Sequence, residues 1–492
     1  MSPGSFPSAF LSPHGHMIYF DNAAAAAVSG GSQCSRIRHI LTGSFNTVFL
    51  HLLTFDSLTR GLNVTLSVPA QGPHQWLALG SVGGGALNPE PWSKIVYATT
   101  WADDRRVSAW RVGTQPGKET IEHINSQPIT AAGSYLTVQP PPYDSRTSPA
   151  YGVPSRLDEV SSFPAYLYQA GGPTGEVFRL DLFNGAIEEQ VQSLVFLSGG
   201  QEELDRGTDT SRRSLRYGAH NIDFDVHGLG YVADLGRNAI LVYSRDNQTG
   251  RVQFESQANA LGEHDGPRHV VPSPDGRWVF SVTEHTSYVD AYRIDGPSRT
   301  LTFRQRSSLI PPYASSSSSS SKPRSDWRGN TVRLSPSGRH LFATTRGKDA
   351  FTRGWIGMWE LDLDSETQPM LQRETKALNN STSSTLESRE QRGPGSYYYE
   401  TATSGGKANA LEWASRFPLH SNADSSLVGQ PEKDWAVLTD DEQGFVTVLE
   451  WDGQQLREVA RIKLPGEDAA AFIPHNGVQS SAEGASHAIW LD

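Results

Sequence analysis

Four residues of unlike chemistry, His220, Arg268, Glu284 and Arg346, stand at matching points of a repeating pattern in this 492-residue chain. Two guanidiniums match two carboxylates in shape as well as charge, because each planar fork donates two parallel hydrogen bonds. A histidine and a glutamate beside them are candidates for moving a proton. Together the four point to a small anion with several carboxylates, held while a proton is transferred. Asp234 and Asp440 end the second strand of other repeats, as Glu284 and Arg346 do in theirs, and are read as substrate-binding candidates. Each residue alone has an ordinary reading as a strand-end or rim side chain. Their convergence is what argues for a site.

That convergence depends on the repeat. Residues 217–292 state one unit twice: HNIDFD, LGYVADL and AILVYSRD are answered by PRHVVPSPDG, RWVFSVTE and SYVDAYRID. The runs have strand length, are rich in Val, Tyr, Phe and Ile, and are bounded by Gly, Pro, Asp or Asn. Corresponding points lie about 48 residues apart, the spacing of a propeller blade. In such a blade the innermost strand runs from one face to the other and the second returns. A residue at the start of strand one and a residue after strand two therefore share a face, near the central channel. His220 precedes NIDFD and Arg268 precedes HVVPS; Glu284 follows RWVFSVT and Arg346 follows HLFATT. Three consecutive blades thus send all four to one channel mouth.

The same paired element recurs along the chain. Pairs are read at 37–56, 95–112, 165–182, 230–246, 278–294, 341–362 and 435–452, and the chain ends on a lone strand, HAIWLD. The expected fold is all-β: a seven-bladed β-propeller whose terminal blade is closed by strands from both chain ends, leaving no open edge. Residues 37–492 are read as one propeller domain after a poorly ordered extension at 1–36. Insertions at 139–163, 313–326 (with seven consecutive serines, Ser315 to Ser321) and 374–408 lack apolar periodicity and are read as exposed and mobile.

Bulk properties exclude several classes. A net charge of −11 makes nucleic acid and anionic membranes poor partners. Cys34 is the only cysteine, so no internal disulfide or cysteine metal cluster forms. No apolar run approaches the ~20 residues of a membrane span. No secretory signal is read, and the sequons at Asn63, Asn247, Asn379 and Asn380 are taken as coincidental. The expectation is a soluble, cytoplasmic protein whose partner is a small polycarboxylate, with self-association left open. His227, His264, His269 and His475 show no ligand spacing, so neither metal nor cofactor is expected. SPDG (273–276) and SPSG (335–338) read as turns between first and second strands. SVGGGAL (81–87) lacks the Lys-Ser/Thr of a phosphate loop, and no G-x-S-x-G occurs.

From about residue 38 onward the chain resembles the fungal 3-carboxy-cis,cis-muconate lactonizing enzymes of the seven-bladed lactonase propeller family. The resemblance rests on HILTGSF, HNIDFD with YVADL, GPRHVVPSPDGRWVFSVTE, LIPP (309–312), RLSPSGRHLFATTRG, WAVLTDDEQG and HAIWLD, in that order. It implies a carboxy-cis,cis-muconate cyclase of aromatic catabolism in the β-ketoadipate pathway, without a metal. Its site of one His, two Arg and one Glu falls on His220, Arg268, Glu284 and Arg346. The implied reaction closes a γ-lactone: one carboxylate adds across a conjugated double bond, and the enediolate-like product is protonated at carbon. Arg268 and Arg346 are then expected to bind carboxylates and stabilise the developing charge. His220 is expected to donate the proton with Glu284 orienting it, the exchanged roles being the second choice. Arg268→Ala is expected to lose most activity while folding normally. Two other readings stand beside this one. A lactonase of the 6-phosphogluconolactonase type would use the same basic mouth. A non-catalytic, protein-binding propeller would tolerate mutation of the mouth and depend on its faces or Ser-rich loops.

Overall fold

A strand covered on both faces must be apolar throughout, whereas a strand open on one face alternates. That rule orders this molecule from its axis outward. The structure, a computed structural model, describes residues 37–80, 93–139, 164–315, 322–371, 397–414, 433–465 and 484–491. The extension at 1–36 with Cys34, the SVGGGAL segment, His475, and residues 140–163, 316–321 and 374–396 of the three insertions lie outside the described residues.

Among the described residues, the strands form seven antiparallel sheets. The first blade holds β1 (Ile37–Ser44), β2 (Phe49–Asp56) and β3 (Gly61–Pro69). The second holds β4 (His74–Leu79), β5 (Ser93–Thr100), β6 (Arg106–Gly113) and β7 (Thr120–Pro128). The third holds β8 (Tyr135–Gln139), β9 (Ala165–Gly171), β10 (Thr174–Leu180) and β11 (Ile187–Val195). The fourth holds β12 (Ala219–Phe224), β13 (Leu229–Asp234), β14 (Ala239–Arg245) and β15 (Val252–Asn259). The fifth holds β16 (Pro267–Pro272), β17 (Trp278–Thr283), β18 (Tyr288–Asp295) and β19 (Thr300–Ser308). The sixth holds β20 (Trp327–Leu334), β21 (His340–Gly347) and β22 (Trp355–Leu361), with β23 (Met370–Leu371) and β24 (Tyr397–Glu400) sharing the outer edge of β22. The seventh holds β25 (Leu411–Trp413), β26 (Asp434–Thr439), β27 (Phe445–Trp451) and β28 (Leu456–Lys463).

The last strand, β29 (Ala485–Trp490), pairs antiparallel with β1 and becomes the innermost strand of the first blade. The chain ends therefore close the ring. Phe55 secures the join, edge-on to Trp435 at 5.1 Å and to Trp490 at 6.1 Å. The innermost strands β29, β4, β8, β12, β16, β20 and β25 each touch the next around the axis.

Burial falls with radius, as the rule requires. β9 (AYLYQAG) and β16 (PRHVVP) are buried at every residue, whereas outer β15 (VQFESQAN) and β28 (LREVARIK) alternate toward solvent. Large side chains such as Trp278, Trp359, Tyr168, Phe178, Phe280 and Phe342 fill the spaces between blades. Burying one such Phe stabilises the fold by about 1.5–3 kcal/mol. SPDG and SPSG form the expected turns, with Gly276 and Gly338 in the left-handed region at φ 65° and 68°.

The third insertion is shorter than the composition suggested. Residues 397–408 belong to blade six: β24 extends the sheet, Tyr398 is buried and its hydroxyl donates to the Ser308 carbonyl at 2.8 Å. Period-2 patterning is invisible in YYYE because its three tyrosines do not alternate with polar residues. No helix among the described residues is long and apolar enough to cross a membrane.

Candidate active site

His220 and Arg268 owe their places to an irregularity at the start of an innermost strand. In β12 the pairing shifts between Ala219 and Asn221, leaving His220 as the extra residue; in β16 it shifts between Pro267 and His269, leaving Arg268. Such bulges re-aim a side chain and let neighbours in sequence serve one side. Glu284 follows β17 and is held by its own backbone. Its N–H donates to the Gly266 carbonyl at 2.7 Å, and its carbonyl accepts from Gly329 N–H at 2.9 Å. Gly329 is required at this contact, since a Cβ there would lie 2.1 Å from the Thr283 carbonyl oxygen. Arg346 is near the end of β21, directly opposite Arg328 of β20.

Glu284 is the hub. Nε of Arg268 lies 3.0 Å from one carboxylate oxygen; Nη2 of Arg346, at 3.0 Å, and Nη1 of Arg328, at 3.6 Å, approach the other. Burial pushes the Glu284 carboxyl upward, but the guanidiniums of Arg346 and Arg268 outweigh it and hold the group at about 2. Burial lowers Arg268 to about 10 despite Glu284, and Arg346 adds to the fall. His220 is held well below its ordinary value by burial and then by Arg268. Its ring is 5.4 Å from that of His269. His269 is also held well below, by burial and Arg268.

Arg268 is fully engaged on one edge. Its Nη1 donates to the Asn330 carbonyl (3.0 Å) and Oδ1 (3.1 Å) and reaches Nε2 of His269 at 3.1 Å. A guanidinium only donates, so Nε2 of His269 accepts and the ring proton sits on Nδ1. That Nδ1, and Nε of Arg346, are buried without a hydrogen-bond partner. Among the described residues no group of three or more His, Cys, Asp or Glu side chains is placed to hold a metal ion.

A basic mouth of this kind occurs at the channel of a chain with well-defined relatives. Residues 161–362 match the model of the family described as Lactonase, 7-bladed beta-propeller. Muconate cycloisomerase 1 of Cutaneotrichosporon cutaneum is 31% identical over 425 residues, which cover 85% of this chain and 92% of that protein. The chain belongs to the seven-bladed lactonase propeller family. Carboxy-cis,cis-muconate cyclase of Neurospora crassa is 21% identical over 437 residues, 87% of this chain and 96% of the relative. In fold, the chain is similar to a periplasmic gluconolactonase of Pseudomonas aeruginosa, with TM-score 0.56 and 14% identity over 93% of this chain and 99% of that one. It is likewise similar to a Lactobacillus plantarum protein, with TM-score 0.54 and 16% identity over 87% and 97% of the two chains.

In this lactonase-family propeller the channel is filled below the mouth. Nε of Arg333 pairs with Glu412 at 2.9 Å, and its guanidinium lies 5.2 Å over Trp76. Trp76 stacks on His487 at 3.5 Å, and His487 Nε2 is 3.6 Å from Glu412. His269 meets Trp76 and Tyr135 edge-on at 5.2 and 5.4 Å. Each of the seven innermost strands thus gives a polar or aromatic side chain to one connected axial cluster: Trp76, Tyr135, His220, His269, Arg333, Glu412 and His487. It spans the axis, joining blades on opposite sides of the ring and forming a floor beside the mouth.

The structure brings His220, Arg268, Glu284 and Arg346 together, but two sequence expectations change. Asp234 and Asp440 cap turns instead. Asp234 accepts from Arg237 N–H at 2.9 Å, and Asp440 accepts from Glu442 and Gln443 N–H at 2.8 and 3.3 Å. Short acidic side chains there satisfy the hairpin backbone, which the sequences DLGRN and DDEQG signal. Glu284 also does not orient His220, because the bonds of its carboxylate run to arginines. Four participants went unread: Arg328, Asn330, His285 and His269. For Arg328, Asn330 and His269 the signal was available in the repeat frame, since PRHVV and WRGNTV align with AHNID.

Proposed function

We propose that this propeller is a cycloisomerase that closes 3-carboxy-cis,cis-muconate, or a related muconate, to its γ-lactone. The observation that carries this reading is the triple guanidinium contact on Glu284 beside a buried neutral His220, in a chain 31% identical to a muconate cycloisomerase. Arg268 and Arg346 hold carboxylates and stabilise the charge that develops as a carboxylate oxygen bonds to the conjugated carbon. As that C–O bond forms, the π electrons move onto the conjugated carboxylate, giving an enediolate. Charges already fixed at buried positions need no reorganisation to meet it.

The enediolate carbon then takes a proton, and the turnover consumes one proton from solvent. Glu284, locked as a carboxylate near a pKa of about 2, is a poor acid. His220 fits the role: it is neutral in the empty site, and a bound polyanion raises its pKa so that it arrives protonated when substrate is present. The exchanged roles are therefore disfavoured, and Glu284 serves to fix the arginines. Assaying 3-carboxy-cis,cis-muconate, cis,cis-muconate and 6-phosphogluconolactone side by side separates this reading from a lactonase. Lactone formation from a muconate supports it; hydrolysis of the sugar lactone alone removes it.

A further inference from the structure

The mouth carries one more guanidinium than the site set read from sequence. Arg328 of β20 pairs directly with Arg346 of β21, and like charges placed opposite each other weaken a sheet. Both turn to the same oxygen of Glu284, and Nη1 of Arg328 also lies 3.3 Å from Nδ1 of His285. As only a donor, Arg328 fixes that nitrogen as an acceptor, so His285 offers it no negative charge. Three positive charges (Arg268, Arg328, Arg346) face one negative charge (Glu284), leaving an excess of two in a chain whose net charge is −11.

The three are graded from wall to rim. Their side chains are 8%, 19% and 43% exposed for Arg268, Arg346 and Arg328. Arg268 is braced by Glu284, His269 and Asn330, whereas Arg328 has the most freedom to turn toward a ligand. A ligand with two carboxylates meets Arg268 and Arg346 and leaves Arg328 facing a like charge.

We propose that Arg328 is a specificity-determining residue that takes the third carboxylate of a tricarboxylate substrate, so that the mouth selects a carboxylated muconate over the plain dicarboxylate. This rests on the lactonising reading above for the identity of the substrate, but the charge arrangement predicts tricarboxylate preference in binding as well as in turnover.

The test compares wild type, Arg328→Gln and Arg328→Lys. Turnover is measured with 3-carboxy-cis,cis-muconate and cis,cis-muconate, and calorimetric binding with the inert propane-1,2,3-tricarboxylate and pentanedioate. Losing one charge-assisted carboxylate contact predicts a rise of about 10- to 100-fold in KM and Kd for the tricarboxylates. The dicarboxylate constants should change less than about twofold, and lysine should restore part of the preference. Equal losses for both classes, or no loss, overturn the proposal. If wild type turns over neither muconate, the lactonising reading falls and the binding data decide Arg328 alone. A tricarboxylate preference lost in Arg328→Gln upholds its role, and no preference in wild type overturns it. Arg328 is half-exposed, so an unchanged melting temperature is expected and serves as the folding control.

Discussion

Nε of Arg268 lies 3.0 Å from Oε2 of Glu284, and both side chains are about nine-tenths buried. A buried pair of this kind is costly to break from one side, because the surviving charge is left without its partner. Arg268→Ala is therefore expected to destabilise the fold by about 3–5 kcal/mol, contrary to the expectation that it folds normally. Denaturant titration of the variant checks this; an unchanged midpoint would show that Arg346 alone suffices to hold Glu284.

The same carboxylate sets an acid limit. Its folded pKa of about 2 lies below the ordinary carboxyl value of 4.5, so folding favours the ionised form. The stability it contributes is present above pH 4.5 and is lost as pH falls from there toward 2. Glu412, held at about 2 against burial by Arg333, adds to the loss over the same window. Unfolding of wild type between pH 5 and 2, compared with Glu284→Gln, measures this: the variant should be less stable at pH 7 and flatter across the acid limb. A limb of unchanged slope would remove Glu284 as a contributor.

His220 carries a separate expectation. Replacing it by glutamine should lower kcat by about 10²–10⁴-fold with a small change in KM, as for loss of a proton donor. Binding of an inert tricarboxylate should also draw a proton from buffer in wild type and less in His220→Gln. Calorimetry in two buffers of different ionisation enthalpy reads that uptake. Equal uptake in both proteins would place the proton elsewhere.

What could be read from sequence followed burial. Second and third strands such as WVFSVT and YVDAYRID were legible because neighbouring blades cover both faces, which forces apolar runs. Fourth strands such as TIEHINSQP and VQFESQAN were not, because half their residues face solvent and carry no distinctive pattern. The three-residue β25 (LEW) is too short to signal itself, yet Glu412 at its centre anchors the axial floor. His269 was weighed only as a metal ligand and set aside for want of ligand spacing; the bulge at Arg268 is what brings it beside that arginine. Asp234 and Asp440 were over-read because the end of a second strand is also the start of a turn.

The most direct test follows the conjugated-diene absorbance of 3-carboxy-cis,cis-muconate with purified wild type and Arg346→Gln, in the presence of a chelator. Arg346→Gln leaves the Arg268–Glu284 pair in place, so the variant should fold. The account predicts decay of the signal with wild type and a rate at least about 100-fold lower with the variant. A flat trace from folded wild type, or equal rates for the two proteins, would contradict it.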